Sequence, residues 1–416
     1  MKRHLIGIGG VGMSALATAL VRLGDEVTGA DRTLGTPNIK FLESLGVKVY
    51  PDDGSGVDSS TDEVIVSTAI EETNAGLVKA KELGIPVTHR AKALSRTLKD
   101  YKLVAVVGTC GKSTVTAMLG HVLSECGLDP MCVNGANVPG WEGAVRFGKG
   151  EYAVAEVDES DKSLVAFSPY AAIVTNASAD HYSKEEMDEV FDAFVKDCEG
   201  PVVDGRNVEV WKYGNGGIGE WVTPLPGKHN LQNATLAAKM ALALGCKAED
   251  IKRALATFRG VERRLQLVSQ PRNLTTSQPA VYDDYAHNPE KLKAMWTTLA
   301  EKHPEGICVI WRPHGYAPLR KMMEALAAMF AETVRSCDKL LLLPVYDAGG
   351  TTDRSVNSGD LKAKVEGEVE QRIELVPDLD AAYAWCKAHK GDYAAFVTCG
   401  ARDPGLPALA KRLSGM

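Results

Sequence analysis

The sequence predicts an α/β protein with three domains, each built on a largely parallel β-sheet covered by helices. Two glycine-rich turns support this prediction, since residues 7–12 and 108–111 each follow an apolar run and precede a helical pattern. Strands and helices alternate again from about residue 281 onward. At 416 residues the chain is too long for one ordinary core. The predicted domains are 1–97, 98–265 and 266–416.

Composition narrows the class of protein. The formal net charge of −7 argues against a nucleic-acid partner, and no run approaches 18 apolar residues, so no membrane span is expected. The nine cysteines are scattered without a CxxC pair, which indicates reduced thiols rather than a zinc site. The first residues lack the pattern of a signal peptide. We therefore expect a cytoplasmic enzyme and leave its oligomeric state open.

The first domain is predicted to be Rossmann-like. A strand over residues 4–8 leads into GIGGVG at 7–12, and Asp31 closes the second predicted strand. This is the dinucleotide fingerprint, in which a diphosphate binds at a helix N-terminus. Both NAD and a nucleotide sugar satisfy that chemistry. Ser67 and residues 89–90 follow later strands, where ligands of such sheets bind, although surface polar residues at loop starts are the alternative.

The central domain is predicted to be of the P-loop ATPase type. A strand over 103–107 enters a turn, and Lys112, Ser113 and Thr114 then open a helix. In such a loop backbone N–H groups surround phosphate oxygens, the lysine neutralises them, and a hydroxyl binds Mg²⁺. Val106 replaces the usual first glycine, so an ordinary strand–turn–helix is the alternative.

Acidic residues follow the next predicted strand, 152–157. Glu156 and the acids after it are placed to hold Mg²⁺, with a solvated acidic loop as the alternative. A further predicted strand, 171–175, ends in Asn176 and is followed by His181. That histidine is a candidate for a second metal or for the reacting phosphate.

Three later stretches carry polar side chains at useful positions. Asn230 and Asn233 lie on either side of the first turn of a predicted helix. Their side-chain amides either cap that helix or form hydrogen bonds with the edge of an adenine base. Arg264, in a basic pair, suits phosphates, with surface charge as the alternative. The third domain, predicted to be Rossmann-like, places 312–316 and 346–349 directly after strands.

Taken in order, these motifs resemble the Mur ligase family, ATP-dependent enzymes that add amino acids to UDP-N-acetylmuramic acid in peptidoglycan synthesis. The similarity extends over nearly the whole chain through GIGGVGMS, GTCGKST, EVDESD, VTNASADH, PGKHNLQNA, GVERRL, DDYAHNP and VYDAGG. Within the family the chain is most similar to the branch that adds L-alanine. The resemblance implies a UDP-sugar rather than NAD at the first glycine-rich turn, and ATP with Mg²⁺ as cofactors.

The resemblance also implies roles for individual residues. Lys112, Glu156 and His181 correspond to catalytic positions, and Ser113, Glu156 and His181 to magnesium ligands. The implied ATP contacts are Gly108, Thr109, Gly111, Lys112, Ser113, Thr114, Asn230, Asn233, Arg264, Asp284 and His287. The implied UDP-sugar contacts are Gly9, Gly10, Val11, Gly12, Met13, Ser14, Asp31 and Ser67. His314 and Tyr346 correspond to the amino-acid site.

The implied partners are a UDP-N-acetylmuramate-type nucleotide sugar and a free amino acid, coupled through an acyl-phosphate. The alanine-adding pattern P-H-R-Y-x-R reads PHGYAP at 313–318, so two arginines suited to a carboxylate are replaced. We consider Arg312, Arg320 and Arg354 as substitutes. Ligation of another amino acid or acceptor, as in murein-peptide recycling, and a non-catalytic nucleotide-sugar-binding paralogue are the alternatives.

Overall fold

The computed structural model describes residues 1–158, 163–177, 184–207, 221–269, 278–347 and 353–416. The chain divides into two compact units. The first comprises Met1–Leu225 with His229–Val261, and the second Pro226–Lys228 with Glu262–Met416. Three β-sheets follow one another along the chain, two in the first unit and one in the second. The predicted α/β class with three sheets is confirmed, while the domain limits at 97 and 265 stay predictions.

The first sheet is wholly parallel. Its strands are β1 (Lys2–Ile6), β2 (Glu26–Asp31), β3 (Lys48–Pro51), β4 (Glu63–Val66) and β5 (Val87–His89), and its helices are α1 (Val11–Arg22), α2 (Pro37–Ser44), α3 (Ala75–Glu82) and α4 (Arg90–Thr97). The strand order is β3-β2-β1-β4-β5. The order reverses between β1 and β4, and in doubly wound sheets the crevice at that point takes the ligand. β1 ends at Ile6, earlier than predicted, because the chain turns at Gly7 with a φ of +76°.

The second sheet carries the glycine-rich turn at residues 108–111, the predicted phosphate loop. Its strands are β6 (Lys102–Val107), β7 (Met131–Val133), β8 (Val145–Arg146), β9 (Tyr152–Glu156), β10 (Ala171–Val174) and β11 (Val202–Asp204). Its helices are α5 (Lys112–Glu125), a 3-10 helix (Ser163–Ala166), α6 (Lys184–Val195), α7 (Lys228–Ala243) and α8 (Ala248–Thr257). The order is β11-β10-β6-β9-β7-β8, with β8 antiparallel. β7 and β8 precede β9 along the chain and were not predicted.

The third sheet forms the second unit. Its strands are β12 (Gln266–Ser269), β13 (Ala280–Asp284), β14 (Ile307–Trp311), β15 (Lys339–Leu342), β16 (Ile373–Leu375) and β17 (Ala395–Cys399). Its helices are α9 (Pro289–Lys302), α10 (Tyr316–Thr333), α11 (Ser358–Lys364), a 3-10 helix (Gly367–Arg372), α12 (Leu379–Ala388) and α13 (Gly405–Ser414). The order is β12-β13-β17-β14-β15-β16, parallel except for the edge strand β12.

The apolar core of the first unit runs through both of its sheets. Leu16 and Leu20 of α1 belong to the same buried cluster as Met131 of β7 and Val145 of β8. Burial of such side chains stabilises a fold by about 1.5–3 kcal/mol each. The two glycine-rich loops of this unit therefore sit on one packed body. Among the described residues, no helix combines the length and the apolar character needed to cross a membrane.

Candidate functional site

The loop between β6 and α5 has a backbone that requires glycine at two positions. Gly108 has a φ of +126°, and a side chain there would overlap the Thr175 hydroxyl. Gly111 has a φ of +86°, and a Cβ there would stand 2.7 Å from Oδ1 of Asn233. Both values lie in the left-handed region that favours glycine. The loop is thus closely enclosed by the strand and helix beside it.

The residues after β10 hold this loop in place. The Thr175 hydroxyl donates to the Cys110 carbonyl at 2.7 Å, and Asn176 Nδ2 donates to the same carbonyl at 2.8 Å. Asn176 Oδ1 accepts from the Thr109 hydroxyl at 2.6 Å and from Cys110 N at 3.0 Å. Asn176 was predicted to end a strand but was given no role. Its contacts make it a positioning residue for the loop.

The first turn of α5 offers the groups that a phosphate needs. Ser113 and Thr114 are buried in this turn, which contains no acidic residue. Nζ of Lys112 lies across the loop and donates to the Gly108 carbonyl at 2.6 Å. Backbone N–H groups at a helix start, together with an ammonium group, attract an anion.

Glu156 lies beside the loop because β9 is the neighbour of β6 on the side opposite to β10. Val106 of β6 pairs with Glu156 in register. Oε2 of Glu156 accepts from Gly135 N at 2.8 Å, and any side chain at position 135 would overlap the whole carboxylate. The structure therefore holds one carboxylate against the backbone next to the phosphate loop. Gly135 carried no recognisable signal in the sequence.

Some predicted positions lie outside the described residues. They are His181, the acids at 159 and 161, and the glycines at 349 and 350. Within the described ranges, no three His, Cys, Asp or Glu side chains are grouped as a metal site. The described candidates for a metal ligand are the carboxylate of Glu156 and the hydroxyl of Ser113.

Asn230 and Asn233 both lie inside α7, which begins at Lys228. The alternative that they cap this helix is therefore wrong. Both side chains are buried, and Asn233 Nδ2 donates to Asn230 Oδ1 at 3.3 Å. Asn233 is the residue whose amide oxygen faces Gly111, so the pair stands against the phosphate loop. Contact with adenine stays a prediction.

The first sheet presents a second helix N-terminus. Gly10 precedes α1, and no side chain within the described part of the chain caps that helix. Asp31 Oδ2 accepts from Gly9 N at 2.9 Å, so this carboxylate shapes the turn. Nη1 of Arg90 lies 3.1 Å from where a Cβ on Gly12 would stand, which brings a guanidinium to the helix start. These groups suit a diphosphate.

Ser67 follows β4, the strand next to β1, at the same edge of the sheet as the turn. Val11, Met13 and Ser14 lie in the first turn of α1, and the Ser14 hydroxyl donates to the Val11 carbonyl at 2.9 Å. The structure thus brings the predicted UDP-sugar residues to one end of the first sheet.

In the second unit, the stretch around Arg263 is held in an unusual backbone conformation. Arg263 and Leu265, on either side of Arg264, have φ values of +59° and +46°. Nε of Arg263 donates to Asp283 Oδ2 at 3.1 Å, and Leu265 N donates to Asp284 Oδ2 at 2.6 Å. Two buried acids of β13 therefore stabilise the turn that presents Arg264.

The acids themselves are buried. Burial raises the pKa of Asp283 to about 6, against the opposing effect of the Arg263 guanidinium. Burial also raises the pKa of Asp284, whose Oδ1 accepts from Ala286 N at 2.7 Å. Both oxygens of Asp284 thus already bind backbone N–H groups. Its predicted contact with a ribose stays a prediction.

Two histidines meet at the carboxyl edge of the third sheet. The ring centroids of His287 and His314 are 4.8 Å apart in an edge-on arrangement. Burial lowers the pKa of His287 to about 4 and also lowers the pKa of His314. The guanidinium of Arg264 lies 5.3 Å from the centroid of the Tyr285 ring, which contacts His287. Tyr346 N donates to the Pro313 carbonyl at 2.8 Å, one residue from His314.

The three arginines considered as substitutes all bind acidic partners. Arg312 contacts Asp403 at 2.6 Å, Arg320 contacts Asp353 at 2.6 Å, and Arg354 contacts Asp347 at 2.7 Å. A guanidinium already held by a carboxylate is a poor receptor for another one.

Comparison with known proteins agrees with this architecture. A family model described as the catalytic domain of the Mur ligase family matches residues 2–102, and one described as the glutamate ligase domain of Mur ligases matches residues 263–402. The UDP-N-acetylmuramate–L-alanine ligase of Rubrobacter xylanophilus is 34% identical over 446 aligned positions, which cover 97% of each chain. The chain belongs to the Mur ligase family. The resemblance found in its ordered motifs is thus confirmed.

Solved structures of other ligases share the fold of this Mur ligase. The UDP-N-acetylmuramate–alanine ligase MurC of Thermotoga maritima is similar at a TM-score of 0.82 and 25% identity, over 100% of this chain and 98% of that one. A murein peptide ligase of Psychrobacter arcticus is similar at 0.65 and 19% identity, over 100% and 99% of the two chains, which shows the fold alone. The roles of the individual site residues stay predictions.

Proposed function

We propose that this Mur ligase joins L-alanine to the lactyl carboxylate of UDP-N-acetylmuramate, with ATP as the energy source, in peptidoglycan synthesis. One observation carries the proposal beyond family membership. The same unit has two helix N-termini that follow glycine-rich turns, one at α1 and one at α5, and the second has Lys112 and Glu156 beside it. Both are of the kind that binds phosphates. An NAD oxidoreductase has no use for the second loop. Because ATP and free amino acids are cytoplasmic, we expect the enzyme to act there.

The first site is proposed to take the diphosphate of the nucleotide sugar. The uncapped N-terminus of α1 supplies N–H groups, and Arg90 at Gly12 supplies a positive charge. The Asp31 carboxylate holds the turn in place by accepting a hydrogen bond from Gly9 N. This arrangement orients the sugar by its phosphates.

The second site is proposed to take the phosphates of ATP. The loop backbone from Gly108 to Gly111 and the ammonium of Lys112 would bind the β- and γ-phosphates. Glu156 and Ser113 are oxygen donors of the kind that Mg²⁺ prefers, and they are the residues that would hold it. When bound, Mg²⁺ neutralises charge on the phosphates.

The proposed chemistry has two steps. The lactyl carboxylate attacks the γ-phosphorus of ATP, so that a C–O–P bond forms and ADP leaves. Two anions must approach each other, and Lys112 with the N–H groups of α5 offsets their repulsion. The amine of the amino acid then attacks the acyl carbon, the amide bond forms, and inorganic phosphate leaves with a proton released from the amine.

A second candidate has a specific observation in its favour. The segment 313–318 lacks the two arginines of the alanine-adding pattern, and Arg312, Arg320 and Arg354 are engaged elsewhere. A Mur-type ligase for another amino acid or for a peptide acceptor is therefore the runner-up.

The test measures phosphate release from ATP in the presence of UDP-N-acetylmuramate and one amine at a time. The amines are a panel of amino acids and, in their place, a tripeptide. The proposal predicts release with L-alanine, detection of the alanylated product by mass spectrometry, and no turnover by Lys112→Ala. Release with a different amino acid or with the peptide would favour the runner-up. Binding of the nucleotide sugar without any release would show a non-catalytic paralogue.

A further inference from the structure

Three neighbouring strands of the third sheet end in one register. Asp284 of β13, Cys399 of β17 and Trp311 of β14 pair side by side. The third residue beyond each of them is His287, Arg402 and His314, in that order across the sheet. Parallel strands in one register leave the sheet at the same edge, so all three residues follow strands that end at one edge of the third sheet. The His287 and His314 rings contact each other at this edge, and Arg402 is close enough to His314 for its charge to act on that ring.

The loop that carries Arg402 is held firmly on both sides. The carbonyls of Gly400 and Ala401 accept from the Arg263 guanidinium, at 3.1 Å for Ala401. Asp403 binds Arg312 at 2.6 Å and accepts from Gly405 N at 2.7 Å. Ala401 and Asp403 are buried, whereas Arg402 between them is exposed. A fixed backbone therefore presents one guanidinium to solvent beside His314.

The charge of Arg402 is not matched by an acid among the residues that the structure describes. In the described parts of the chain it takes part in no ion pair, in contrast to Arg312, Arg320 and Arg354. Its positive charge acts on His314, since Arg402 and Lys291 add to burial in lowering the pKa of that imidazole. The lowered pKa favours the neutral imidazole, so this edge of the sheet combines an uncharged ring with an exposed fork of N–H donors. A carboxylate is the group that such a fork binds best.

We propose that the Arg402 guanidinium binds the α-carboxylate of the incoming amino acid beside His314. In this way Arg402 takes over the task of the arginines that the segment 313–318 lacks. The inference rests on the proposed ligase function and adds to it the residue that selects an α-amino acid. A charge-assisted pair between a guanidinium and a carboxylate is stronger than a hydrogen bond between neutral groups, so its presence favours an amine that carries a carboxylate.

The test compares two amines in wild type and in Arg402→Gln. L-alanine has the carboxylate, whereas L-alaninamide keeps the reactive amine and lacks the charge. For wild type we expect kcat/KM to be roughly ten- to a hundred-fold higher with L-alanine. In Arg402→Gln the value for L-alanine should fall by that factor, while the value for L-alaninamide and the KM values for ATP and the nucleotide sugar stay within about two-fold. Arg402→Lys should recover part of the preference, because it restores charge without the fork.

Lys411→Gln is the matched control, since it removes one exposed positive charge from α13 of the same unit. It should leave the preference for L-alanine unchanged. An unaltered preference in Arg402→Gln would overturn the inference while leaving the ligase function intact. A rise in the KM for ATP alone would also overturn it, because the guanidinium would then serve a phosphate. If the wild-type enzyme shows no turnover with either amine, the proposed ligase function is overturned, and this inference with it.

Discussion

Thr175→Val is expected to weaken ATP binding, because the Thr175 hydroxyl holds the phosphate loop. It donates to the Cys110 carbonyl at 2.7 Å, and a methyl carbon in its place needs about 3.3–3.6 Å to the same oxygen. The loop must therefore move by about half an ångström or more. The carbonyl keeps its bond from Asn176 Nδ2 at 2.8 Å, so it is not left without a donor.

The size of the effect follows from that remaining bond. Loss of one intramolecular hydrogen bond costs about 1 kcal/mol, and displacement of the loop adds a similar amount. We expect a total of about 1–2 kcal/mol, which corresponds to roughly a five- to thirty-fold weaker affinity for ATP. Calorimetric titration with a non-hydrolysable ATP analogue measures this directly, and the KM for ATP should follow it.

Thr116→Val is the matched control on α5. The Thr116 hydroxyl is buried and has no hydrogen-bond partner in the described structure, so its replacement by a methyl group removes nothing that holds the loop. This variant should bind ATP like wild type and be equally or more stable toward unfolding. Equal ATP affinities for Thr175→Val and Thr116→Val would refute the claim that residues after β10 position the loop.

Three further predictions concern other parts of the site. Gly135→Ala should lower kcat by at least roughly ten-fold, because the new Cβ displaces the Glu156 carboxylate. Gly391→Ala, whose Cβ would contact no other atom, should leave kcat unchanged. Equal kcat values for the two variants would contradict this prediction. The raised pKa of Asp283, about 6 against an ordinary 3.8, means that the native state binds an extra proton between pH 4 and 6. Denaturant titration measures the free energy of unfolding of wild type and of Asp283→Asn. The wild-type value minus the variant value should decrease by up to about 3 kcal/mol from pH 4 to 7. A difference that stays constant with pH would contradict this prediction. The His287 ring protons should titrate by NMR with a midpoint near 4; a midpoint near 6.5 would show that burial does not control this ring.

Strongly periodic elements were predictable from the sequence. The strand β14 ends at Trp311, directly before residues 312–316 as predicted, and α1 and α5 begin within a few residues of the predicted helices. Short elements were not. Met131–Val133 has three residues between a proline and an asparagine, which is too few for a period of two to be recognised. The antiparallel pairing of β12 depends on contacts that no local pattern records.

The chemistry of the site was predictable where one short motif carries it. Lys112 and Ser113 lie within a few residues of each other, and strand order alone brings Glu156 beside them. The contacts of Asn176 with the loop join residues 66 or 67 positions apart, and those of Gly135 depend on the unpredicted β7. The position of Arg402 near His314 could be predicted only from the register of β14 and β17, which the sequence does not reveal.

The central claim is that a carboxylate of the nucleotide sugar attacks ATP through an acyl-phosphate, and isotope transfer tests it most directly. UDP-N-acetylmuramate labelled with ¹⁸O in the lactyl carboxylate is incubated with ATP, Mg²⁺, L-alanine and the enzyme. The proposed mechanism predicts that each inorganic phosphate released carries one oxygen from that carboxylate, as seen by mass spectrometry. Phosphate that is released without the label would contradict the mechanism.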